Sequence, residues 1–584
     1  MKMNRKVIFL ITLGIILTFS AFYYDLLFYQ EHHETNLMTD SQDKIVIKFF
    51  AVQSASGSLE NPIFIDGNAS GVGAHNWSWA VTQGWGSGDG SWSTPYTIEN
   101  VTIDAITSPT GNGIFINNSK NDYFIIRNVT VYNAGSGAYA GIKLQNTNNG
   151  TLLNNNCSNN RSIGILLFNS DNNTISGNIV TENNYYGIHL YSSDHNDIVN
   201  NTANNNHYGI YLDSCFDNEI LGNTIANNNY GIRLYYSNTN NIVNNTGNNN
   251  GIRLDHSNTN DIVNNTANNN DSGIHLYFSS TNNIVNNTAN NNVYGIHLDH
   301  SNTNDIVNNT ANSNDSGIRL FFSSTNNIVN NTANNNEYGI RLDNSNNNDI
   351  ADNTASNNEY GIYLYYSQSN DIVNNMANNN LYGIYLDSCF DNEISGNIIA
   401  NSDYGISLYY SYTNEIVNNT ASNNEYGIYL YYSHTNDIVN NTANSNDYGI
   451  SLNYSYTNDI VNNTASNNEY GIYLDNNDFN DIVNNTANNN DYGIYLDNSD
   501  DNNIVNNTIA YNNVGIYLSY CNSTEISNNY FSGNGVDIRR LEGENPFPIE
   551  VVLLIVLVIS IIIIIAGMII TKRRSRGESQ RLPK

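Results

Sequence analysis

Cysteine is almost absent from this chain, whose 584 residues contain only four: Cys157, Cys215, Cys389 and Cys521. No two of them form a Cys-x-x-Cys pair, which excludes a zinc ribbon and a redox motif of the thioredoxin kind. Their wide separation along the chain also argues against a framework of disulfide bonds. The fold is therefore expected to hold together without covalent cross-links.

Basic residues are also scarce, with 21 Lys and Arg against 53 Asp and Glu and a formal net charge of −32. Nine of the 21 lie in the two short termini, so the rest of the chain lacks the basic face that a nucleic-acid-binding protein needs. Only 13% of the residues are charged, whereas 39% are hydrophobic and 11% aromatic. That composition excludes a solvated, disordered acidic chain.

Residues 1–24 combine a basic start with an apolar run from Val7 to Phe22. Such a pattern is typical of a secretory leader. Thr18-Phe19-Ser20 forms a weak small-x-small cleavage site. We therefore keep two interpretations, a cleaved signal peptide and an uncleaved N-terminal membrane anchor.

Residues 549–571 are predicted to form a transmembrane helix. The stretch from Val551 to Ile570 carries no charge, and at about 1.5 Å per residue it spans the roughly 30 Å hydrocarbon core of a bilayer. Residues 541–548 form a linker with two prolines, and 572–584 form a basic tail that is expected in the cytoplasm. We expect a cell-membrane protein with extracellular repeats that is single-pass, or two-pass if the N-terminal segment is uncleaved.

A glycine followed by Ile-x-Leu returns every 22 residues from Gly187 to Gly515, with one shorter step of 20 between Gly231 and Gly251. Counted from each glycine, Ile at +1 and Leu at +3 alternate with other residues and predict a strand. Ile at +11 predicts a second strand, and the small residue at +16 a short third one. Units this short cannot bury their apolar side alone, so they are predicted to stack as coils.

Asparagine occupies position +14 in every unit, as in Asn201 and Asn353, and position +9 in most, as in Asn196 and Asn370. In stacked coils these amides form columns that hydrogen-bond to one another and satisfy backbone groups at the corners. Asparagine also tolerates the left-handed conformation that corners need. We therefore interpret these residues as structural.

The GIxLxxSxxNxIxxN repeats resemble those of NosD-like proteins, which have right-handed parallel β-helix repeats of the pectin-lyase-like class. The resemblance covers roughly residues 97–540, and we place the repeats at 96–540. It implies an all-β, right-handed parallel β-helix of about 18–20 coils with an N-terminal cap, followed by the predicted C-terminal transmembrane helix. The class includes polysaccharide lyases, hydrolases, epimerases, copper-site maturation proteins and adhesins, so the resemblance leaves the function open.

Residues 45–95 precede the regular coils and differ from them in composition. They contain a Gly-rich run and all four tryptophans, Trp77, Trp79, Trp85 and Trp92. Because a solenoid has open ends, we predict that this segment is a cap over the first coil. An aromatic loop that binds sugar is the alternative.

Positions +2 and +4 alternate with the inward residues of the first strand and are expected to face solvent. Aromatic rows beside carboxylates and hydroxyls suit sugar rings, which have apolar faces and polar rims. We therefore predict carbohydrate binding by seven residues of the +2 column: Tyr363, Tyr385, Tyr429, Tyr473, Tyr495, Arg319 and Arg341. The alternative is tyrosine stacking and Arg–Asp pairing that only stabilise the sheet.

Metal binding is a weaker hypothesis. His275 and His297 are neighbours in the +2 column, but Arg253 and Arg319 lie on either side and would repel a cation. An acidic column at +10 is expected to be a solvated face, with weak calcium bridging as the alternative. No copper-like run of Met, His and Cys is present, and no other cofactor is predicted.

Asn-x-Thr sequons recur at position +13 of the repeat. If the repeats are extracellular, the outward column they form predicts N-glycosylation. The candidate acceptors are Asn200, Asn244, Asn264, Asn286, Asn308, Asn330, Asn418 and Asn440. In a chain this rich in Asn and Thr, sequons also arise by chance.

The repeats are too uniform to show the unique carboxylate cluster that a hydrolase or lyase needs, so no catalytic residue is assigned. We predict a surface protein that binds glycans or surface proteins, or an envelope scaffold, and that attaches to the membrane by its C-terminal helix. The alternatives are a polysaccharide lyase, hydrolase or epimerase, and a NosD-like accessory protein for metalloenzyme maturation. No nucleic-acid partner is expected.

Overall fold

The computed structural model describes residues 58–249 and 251–541. Over these ranges the chain winds as a right-handed parallel β-helix of about 19 turns, which confirms the predicted all-β solenoid. The predicted N-terminal segment 1–24, the transmembrane helix 549–571 and the basic tail 572–584 lie outside the described residues, as does the linker beyond Leu541. Within the described ranges, no helix is long and apolar enough to cross a membrane.

Each turn contributes strands to parallel sheets that run along the solenoid, and these are numbered here in the order in which the repeat meets them. Sheet 1 contains the strands at the repeat glycines: Ile63–Asp66, Ile114–Asn117, Ala140–Gln145, Ile163–Phe168, Tyr186–Tyr191, Tyr208–Asp213, Tyr230–Tyr235, Ile252–Asp255, Ser272–Tyr277, Tyr294–Asp299, Ser316–Phe321, Tyr338–Asp343, Tyr360–Tyr365, Tyr382–Asp387, Tyr404–Tyr409, Tyr426–Tyr431, Tyr448–Asn453, Tyr470–Asp475, Tyr492–Asp497, Val514–Ser519 and Val536–Leu541.

Sheet 2 contains the strands around position +11. They are Tyr96–Glu99, Phe124–Arg127, Gly150–Leu153, Thr174–Ser176, Asp197–Val199, Glu219–Leu221, Asn241–Val243, Asp261–Val263, Asn283–Val285, Asp305–Val307, Asn327–Val329, Asp349–Ala351, Asp371–Val373, Glu393–Ser395, Glu415–Val417, Asp437–Val439, Asp459–Val461, Asp481–Val483, Asn503–Val505 and Glu525–Ser527. A short strand, Gly86–Ser87, pairs with the first of them in antiparallel orientation.

Sheet 3 contains the strands around position +16. They are Ser58–Glu60, Val101–Asp104, Thr130–Tyr132, Thr202–Asn204, Thr224–Ala226, Thr246–Asn248, Thr266–Asn268, Ile398–Ala400, Thr420–Ser422, Thr442–Asn444, Thr464–Ser466, Thr486–Asn488, Thr508–Ala510 and Tyr530–Ser532. Where its strands are interrupted, single parallel bridges such as Thr310 to Thr332 continue the pairing.

Neighbouring turns pair in register, so identical repeat positions face each other. Ile340 pairs with Ile362 in sheet 1, and Ile350 pairs with Ile372 in sheet 2. All four side chains are fully buried. Because side chains alternate along a strand, the +1, +3, +11 and +16 residues fill the interior, and the same columns of Ile, Leu and Ala extend along the solenoid.

The asparagine columns have the predicted role. Asn353 Nδ2 donates to Asn375 Oδ1 one turn further on at 3.0 Å and to the Ile328 carbonyl at 2.7 Å, while the Asn353 backbone N–H donates to the same Oδ1. A third column at +19, which includes Asn336 and Asn358, was not identified from the sequence. Most of these amides hydrogen-bond to one another and to the backbone at the corners.

The repeat glycine is needed because the backbone of the next turn lies very close. A Cβ atom on Gly361 would lie 2.4 Å from the Gly383 carbonyl oxygen and 2.7 Å from Asn380 Nδ2. The left-handed corners lie elsewhere in the turn, as at Tyr366, Ser369, Asn374 and Asn379.

The described part of the predicted cap segment, residues 58–95, packs on the first turns and also contributes to the sheets, while residues 45–57 lie outside the described residues. Trp77 begins the only α-helix of the described residues, Trp77–Ala80, and is buried. Its ring stacks on Tyr96 at 4.8 Å, and its Nε1 donates to Ser119 Oγ at 2.8 Å. A 3₁₀ turn follows at Ala105–Thr107. The strands Ser58–Glu60 and Ile63–Asp66 pair with later turns.

All four cysteines are free, as the sequence predicts. Cys215 and Cys389 replace the buried serine at +6, and burial raises the pKa of each thiol to about 12. They are therefore inert core residues rather than reactive thiols.

Candidate functional site

The outward side of sheet 1, called here the sheet 1 face, consists of positions −1, +2 and +4. In the strand Tyr360–Tyr365, the three tyrosines at these positions are half-buried, while Gly361, Ile362 and Leu364 are buried. The predicted outward orientation of +2 and +4 is therefore confirmed in this strand, whereas Asp255 and Asp343 at +4 and Ser407 and Ser451 at +2 are buried. The −1 column is a third outward row that the sequence analysis missed, although a tyrosine precedes most of the repeat glycines.

Eight consecutive turns place a tyrosine at −1, and their rings form one continuous column, called here the tyrosine stack. Successive centroids lie 4.7–5.2 Å apart, with planes inclined by 4–12°. The members are Tyr338, Tyr360, Tyr382, Tyr404, Tyr426, Tyr448, Tyr470 and Tyr492. Because each ring covers the face of the next, the stack presents ring edges outward.

The five predicted sugar-binding tyrosines fall into three groups beside this stack. Tyr363 and Tyr385 stack on each other at 5.4 Å, and Tyr473 stacks on Tyr495 at 5.2 Å. Tyr429 has no stacking partner in its own column, because Ser407 and Ser451 occupy the neighbouring positions. Its hydroxyl accepts a hydrogen bond from Asn453 at 3.2 Å.

Burial raises the pKa of these tyrosine hydroxyls above its ordinary value. It raises the pKa of Tyr495 to about 12, with the Asp497 carboxylate adding to the effect. The pKa of Tyr363 and that of Tyr385 are raised further, again mainly by burial and then by Asp387. All remain neutral hydroxyls at physiological pH and can both donate and accept hydrogen bonds.

The two predicted arginines belong to one charge cluster, the Arg319 cluster, in which Asp343 lies between Arg319 and Arg341. Their Nε atoms lie 3.2 and 3.0 Å from Asp343 Oδ2, and Asp343 is only 3% exposed. Arg319 Nη1 also donates to the Tyr294 hydroxyl, and Arg341 packs over the ring of Tyr338. The arginines therefore stabilise the sheet and retain some unused N–H groups.

An equivalent Arg253 cluster lies nearer the N-terminus and contains Arg233, Arg253 and Asp255. Arg233 Nε and Arg253 Nη2 each lie 2.8 Å from an oxygen of Asp255. Burial opposes ionisation of Asp255, but the hydrogen bonds and charges of Arg253 and Arg233 outweigh it and hold the pKa below its usual value. Each cluster carries one net positive charge.

His275 and His297 lie between the two clusters. Their rings stack at 4.7 Å with planes inclined by 6°. Burial lowers the pKa of His275 to about 4 and that of His297 to about 3, with nearby positive charge adding to the effect. Both are therefore neutral at physiological pH.

Two acidic columns run along the solenoid, one on sheet 2 and one beside the tyrosine stack. The predicted +10 column continues without a break over seven turns of sheet 2, at Asp349, Asp371, Glu393, Glu415, Asp437, Asp459 and Asp481. A second column, at −2 and beside the tyrosine stack, was missed; its exposed members are Glu337, Glu359, Asp403, Glu425, Asp447, Glu469 and Asp491. Burial, and then repulsion from Asp349 and Glu393, raises the pKa of Asp371.

The eight candidate glycosylation acceptors are all exposed, and all adopt left-handed backbone conformations with φ between 53° and 58°. They follow the sheet 2 strands, so they lie away from the sheet 1 face. Asn330 also donates to Asn308 Oδ1 at 2.6 Å. Their modification remains a prediction.

The fold and its repeated columns define a right-handed β-helix protein, and a family model for right-handed β-helix regions matches residues 85–247. The chain belongs to the NosD family, described as periplasmic copper-binding protein, whose model matches residues 246–404 and 382–547, together more than half of the chain. This confirms the resemblance inferred from the repeats.

Several solved structures are similar to this chain at low identity. The A-module of mannuronan C-5 epimerase AlgE4 from Azotobacter vinelandii is 16% identical over 54% of this chain and 89% of that one, with a TM-score of 0.28. The PL6 family alginate lyase AlyGC is 10% identical over 83% and 96%, with a TM-score of 0.21. A GH87 α-1,3-glucanase catalytic domain is 13% identical over 60% of each chain, with a TM-score of 0.24. No curated protein matches the chain.

The family description raises the question of whether the residues present fit a copper ion. Within 58–249 and 251–541, no group of three or more His, Cys, Asp or Glu side chains is arranged to hold a metal. Cys215 and Cys389 are enclosed in the core in distant turns, and His275 and His297 stack face to face beside Arg253. These residues do not fit a copper centre.

Proposed function

We propose that this chain is a membrane-tethered β-helix scaffold outside the cytoplasm that binds carbohydrate without catalysis along the sheet 1 face. The observation that carries the proposal is the tyrosine stack beside the +2 tyrosines. Together they form a regular band of aromatic edges and hydroxyls at the spacing of the turns.

Such a band suits a polyhydroxylated chain. Hydroxyls donate and accept hydrogen bonds to sugar hydroxyls, and the carboxylates of Asp387 and Asp497 in the +4 column add acceptors. Because stacking covers most ring faces, contact with sugar at most positions takes place through ring edges. Tyr429 is the exception among the predicted residues, since no ring of its own column covers it and Tyr431 of the +4 column stacks on it only at 6.4 Å. We expect a sugar ring to pack there.

A glycan array probed with the full-length protein in detergent micelles tests this proposal. We expect binding to at least one polysaccharide class, and a loss of about tenfold or more in affinity for Tyr429→Ala. Tyr412→Ala is the matched control. Tyr412 is half-buried and stacks on Phe390, and both residues are at position +7, which is not part of the sheet 1 face. Absence of binding, or equal binding by both variants, would overturn the proposal.

Membrane attachment rests on the uncharged segment 549–571 and the basic residues that follow it. Alkaline extraction of cell membranes tests it, because an integral protein stays in the pellet. We expect the full chain to resist extraction and a chain ending at residue 548 to be released. External protease should then degrade the repeats in intact cells; protection of the repeats would place them on the opposite side.

A further inference from the structure

The one short step of the repeat interrupts the sheet 1 face. The strand of that turn, Ile252–Asp255, has four residues, whereas the strand before it, Tyr230–Tyr235, has six. The next strand begins with Ser272, where most turns have a tyrosine. A recess of about 570 Å³ results, called here the short-turn recess, with Tyr230 and Tyr294 among its lining residues. This volume is in the range of small-molecule sites.

The walls of the recess differ from the rest of the sheet 1 face. Tyr230 is stacked on Tyr208 on one side at 4.9 Å. The guanidinium of Arg233 also lies over the Tyr230 ring, 5.5 Å from its centroid. Among the described residues, Tyr294 is the next tyrosine of the −1 column. The part of the Tyr230 ring that borders the recess is the kind of aromatic surface that a pyranose ring packs against.

Polar side chains complete the recess. Arg253, His275 and His297 lie in consecutive turns of the +2 column and all line it. Arg253 holds Asp255 through Nε and Nη2, which leaves Nη1 for a ligand. Asp271 also lines the recess and is exposed, so its carboxylate lies on the solvent side.

Several lining polar atoms have no partner among the described residues. They are Nε2 of His275, Nε2 of His297 and both amide atoms of Asn270. In most other turns the corresponding asparagine Nδ2 is bonded, as in Asn336, which donates to the Ala311 carbonyl; Asn314 Nδ2 also has no partner, whereas at Asn270 both amide atoms lack one. Buried polar groups without partners are costly and point to a bound polar molecule.

We propose that the short-turn recess binds an acidic sugar residue, whose ring packs on Tyr230 and whose carboxylate accepts hydrogen bonds from Arg253. The Arg253 guanidinium is the only Arg or Lys side chain among the lining residues and provides the contact for a carboxylate, while the Asp271 carboxylate lies on the solvent side of the recess. This inference extends the proposed carbohydrate binding to a second site, separate from Tyr429. A negative result at the recess therefore leaves the Tyr429 test unaffected, and a negative result for Tyr429 leaves the recess test unaffected.

Isothermal titration of the full-length protein in detergent with glucuronate, glucose and acetate tests the proposal. We expect glucuronate to bind at least tenfold more tightly than the other two, because it alone supplies both the ring and the carboxylate. Equal binding of glucuronate and acetate would reveal a general anion site, and equal binding of glucuronate and glucose a neutral sugar site. Either result, or no binding of glucuronate at millimolar concentration, overturns the proposal.

Two substitutions locate the site. Ser272→Tyr restores the usual residue of the −1 column, so it should fold well while filling the recess, and we expect at least a tenfold loss of glucuronate affinity. Ser316→Tyr makes the same change two turns on, at a residue that does not line the recess, and should bind normally. Arg253→Gln should bring glucuronate affinity close to that of glucose. Unchanged binding by Ser272→Tyr, with normal circular dichroism, would show that the ligand binds elsewhere.

Discussion

The side-chain amide of Asn353 donates to the side-chain oxygen of Asn375, one turn further on, at 3.0 Å. The same oxygen accepts the backbone N–H of Asn353, so one acceptor serves two donors of the preceding turn. Repetition of this contact along the +14 column ties each turn to the next at a buried corner. Buried amide networks of this kind specify register only while every member is bonded.

Replacement of Asn353 by Ala should loosen the turns on both sides. It removes the acceptor for the Asn331 backbone N–H and side chain and the donor for the Ile328 carbonyl. Because each unsatisfied buried group costs about 1–3 kcal/mol, we expect a local loss of roughly 3 kcal/mol. Hydrogen exchange followed by mass spectrometry should show faster exchange over residues 325–380.

The control for this change is Asn327→Ala. Asn327 is exposed in a sheet 2 strand and donates to Asp305. Its loss should change the free energy of local opening, derived from the exchange rates, by no more than about 0.5 kcal/mol. Similar exchange in both variants would mean that the +14 column does not hold the turns together.

The repeat specifies most of the fold because in-register stacking makes each position of the unit a column. Ile362 and Leu364 could be placed in the core, and Asn370 at a corner, from spacing alone. The same spacing argument could also have identified the −1 tyrosines and the −2 carboxylates as columns, because both recur at fixed positions of the repeat. The coverage of the Tyr363 ring by Tyr385, in contrast, depends on side-chain torsions that spacing does not specify.

The step of 20 between Gly231 and Gly251 indicated an irregular turn, but it did not predict a recess or the residues that line it. A two-residue deletion could have been absorbed by a corner or by a strand. The structure places it at the start of a sheet 1 strand, which is why Arg253 and His275 line a recess. Likewise, the pairing of Arg319 with Asp343 crosses from one turn to the next and involves two columns, +2 and +4, that were considered separately.

Gly361→Ala should destabilise the solenoid although its backbone conformation suits any residue. The new Cβ would lie 2.4 Å from the Gly383 carbonyl oxygen, a backbone atom that is held in the next turn. Overpacking of this kind costs about 1–3 kcal/mol. Urea denaturation followed by far-ultraviolet circular dichroism should show a lower midpoint. Gly84→Ala is the control, because no atom lies within 4 Å of the added Cβ, and it should leave the midpoint unchanged. If both variants lower the urea midpoint equally, the contact with Gly383 is not the cause of the destabilisation.

Asp343→Asn should destabilise the protein more than the loss of an exposed carboxylate does. The change leaves Arg319 and Arg341 beside each other without their common counter-ion in a half-buried site, and breaking a buried pair costs about 3–5 kcal/mol. We expect a lower thermal midpoint. Asp371→Asn is the matched control, because it relieves repulsion within the +10 column and should be neutral or slightly stabilising. The Asp343 contribution would be refuted by equal midpoints for the two variants.

Acid should destabilise the native state through its buried histidines, and His189 offers a clear case. Burial lowers the pKa of His189 to about 4 from an ordinary value of about 6.5, and both ring nitrogens lack a partner among the described residues. Between pH 6.5 and 4, His189 is therefore protonated in the unfolded chain but not in the native state. This titration leaves the free energy of unfolding unchanged above about pH 6.5 and lowers it as the pH falls below that value. At 1.36 kcal/mol per pH unit the loss approaches roughly 3 kcal/mol by pH 4.

His189→Tyr removes this titration while keeping an aromatic ring, because tyrosine is a common residue of the +2 column and Tyr211 occupies the next turn. The comparison must be made between proteins, since carboxylates with raised pKa values, such as that of Asp371, gain protons in the same range and act in the opposite direction. Urea midpoints of the wild type and the variant should converge above pH 7 and separate as the pH falls to 4, with the variant more stable. Parallel curves over that range would show that His189 takes up its proton equally well in the folded and unfolded chains.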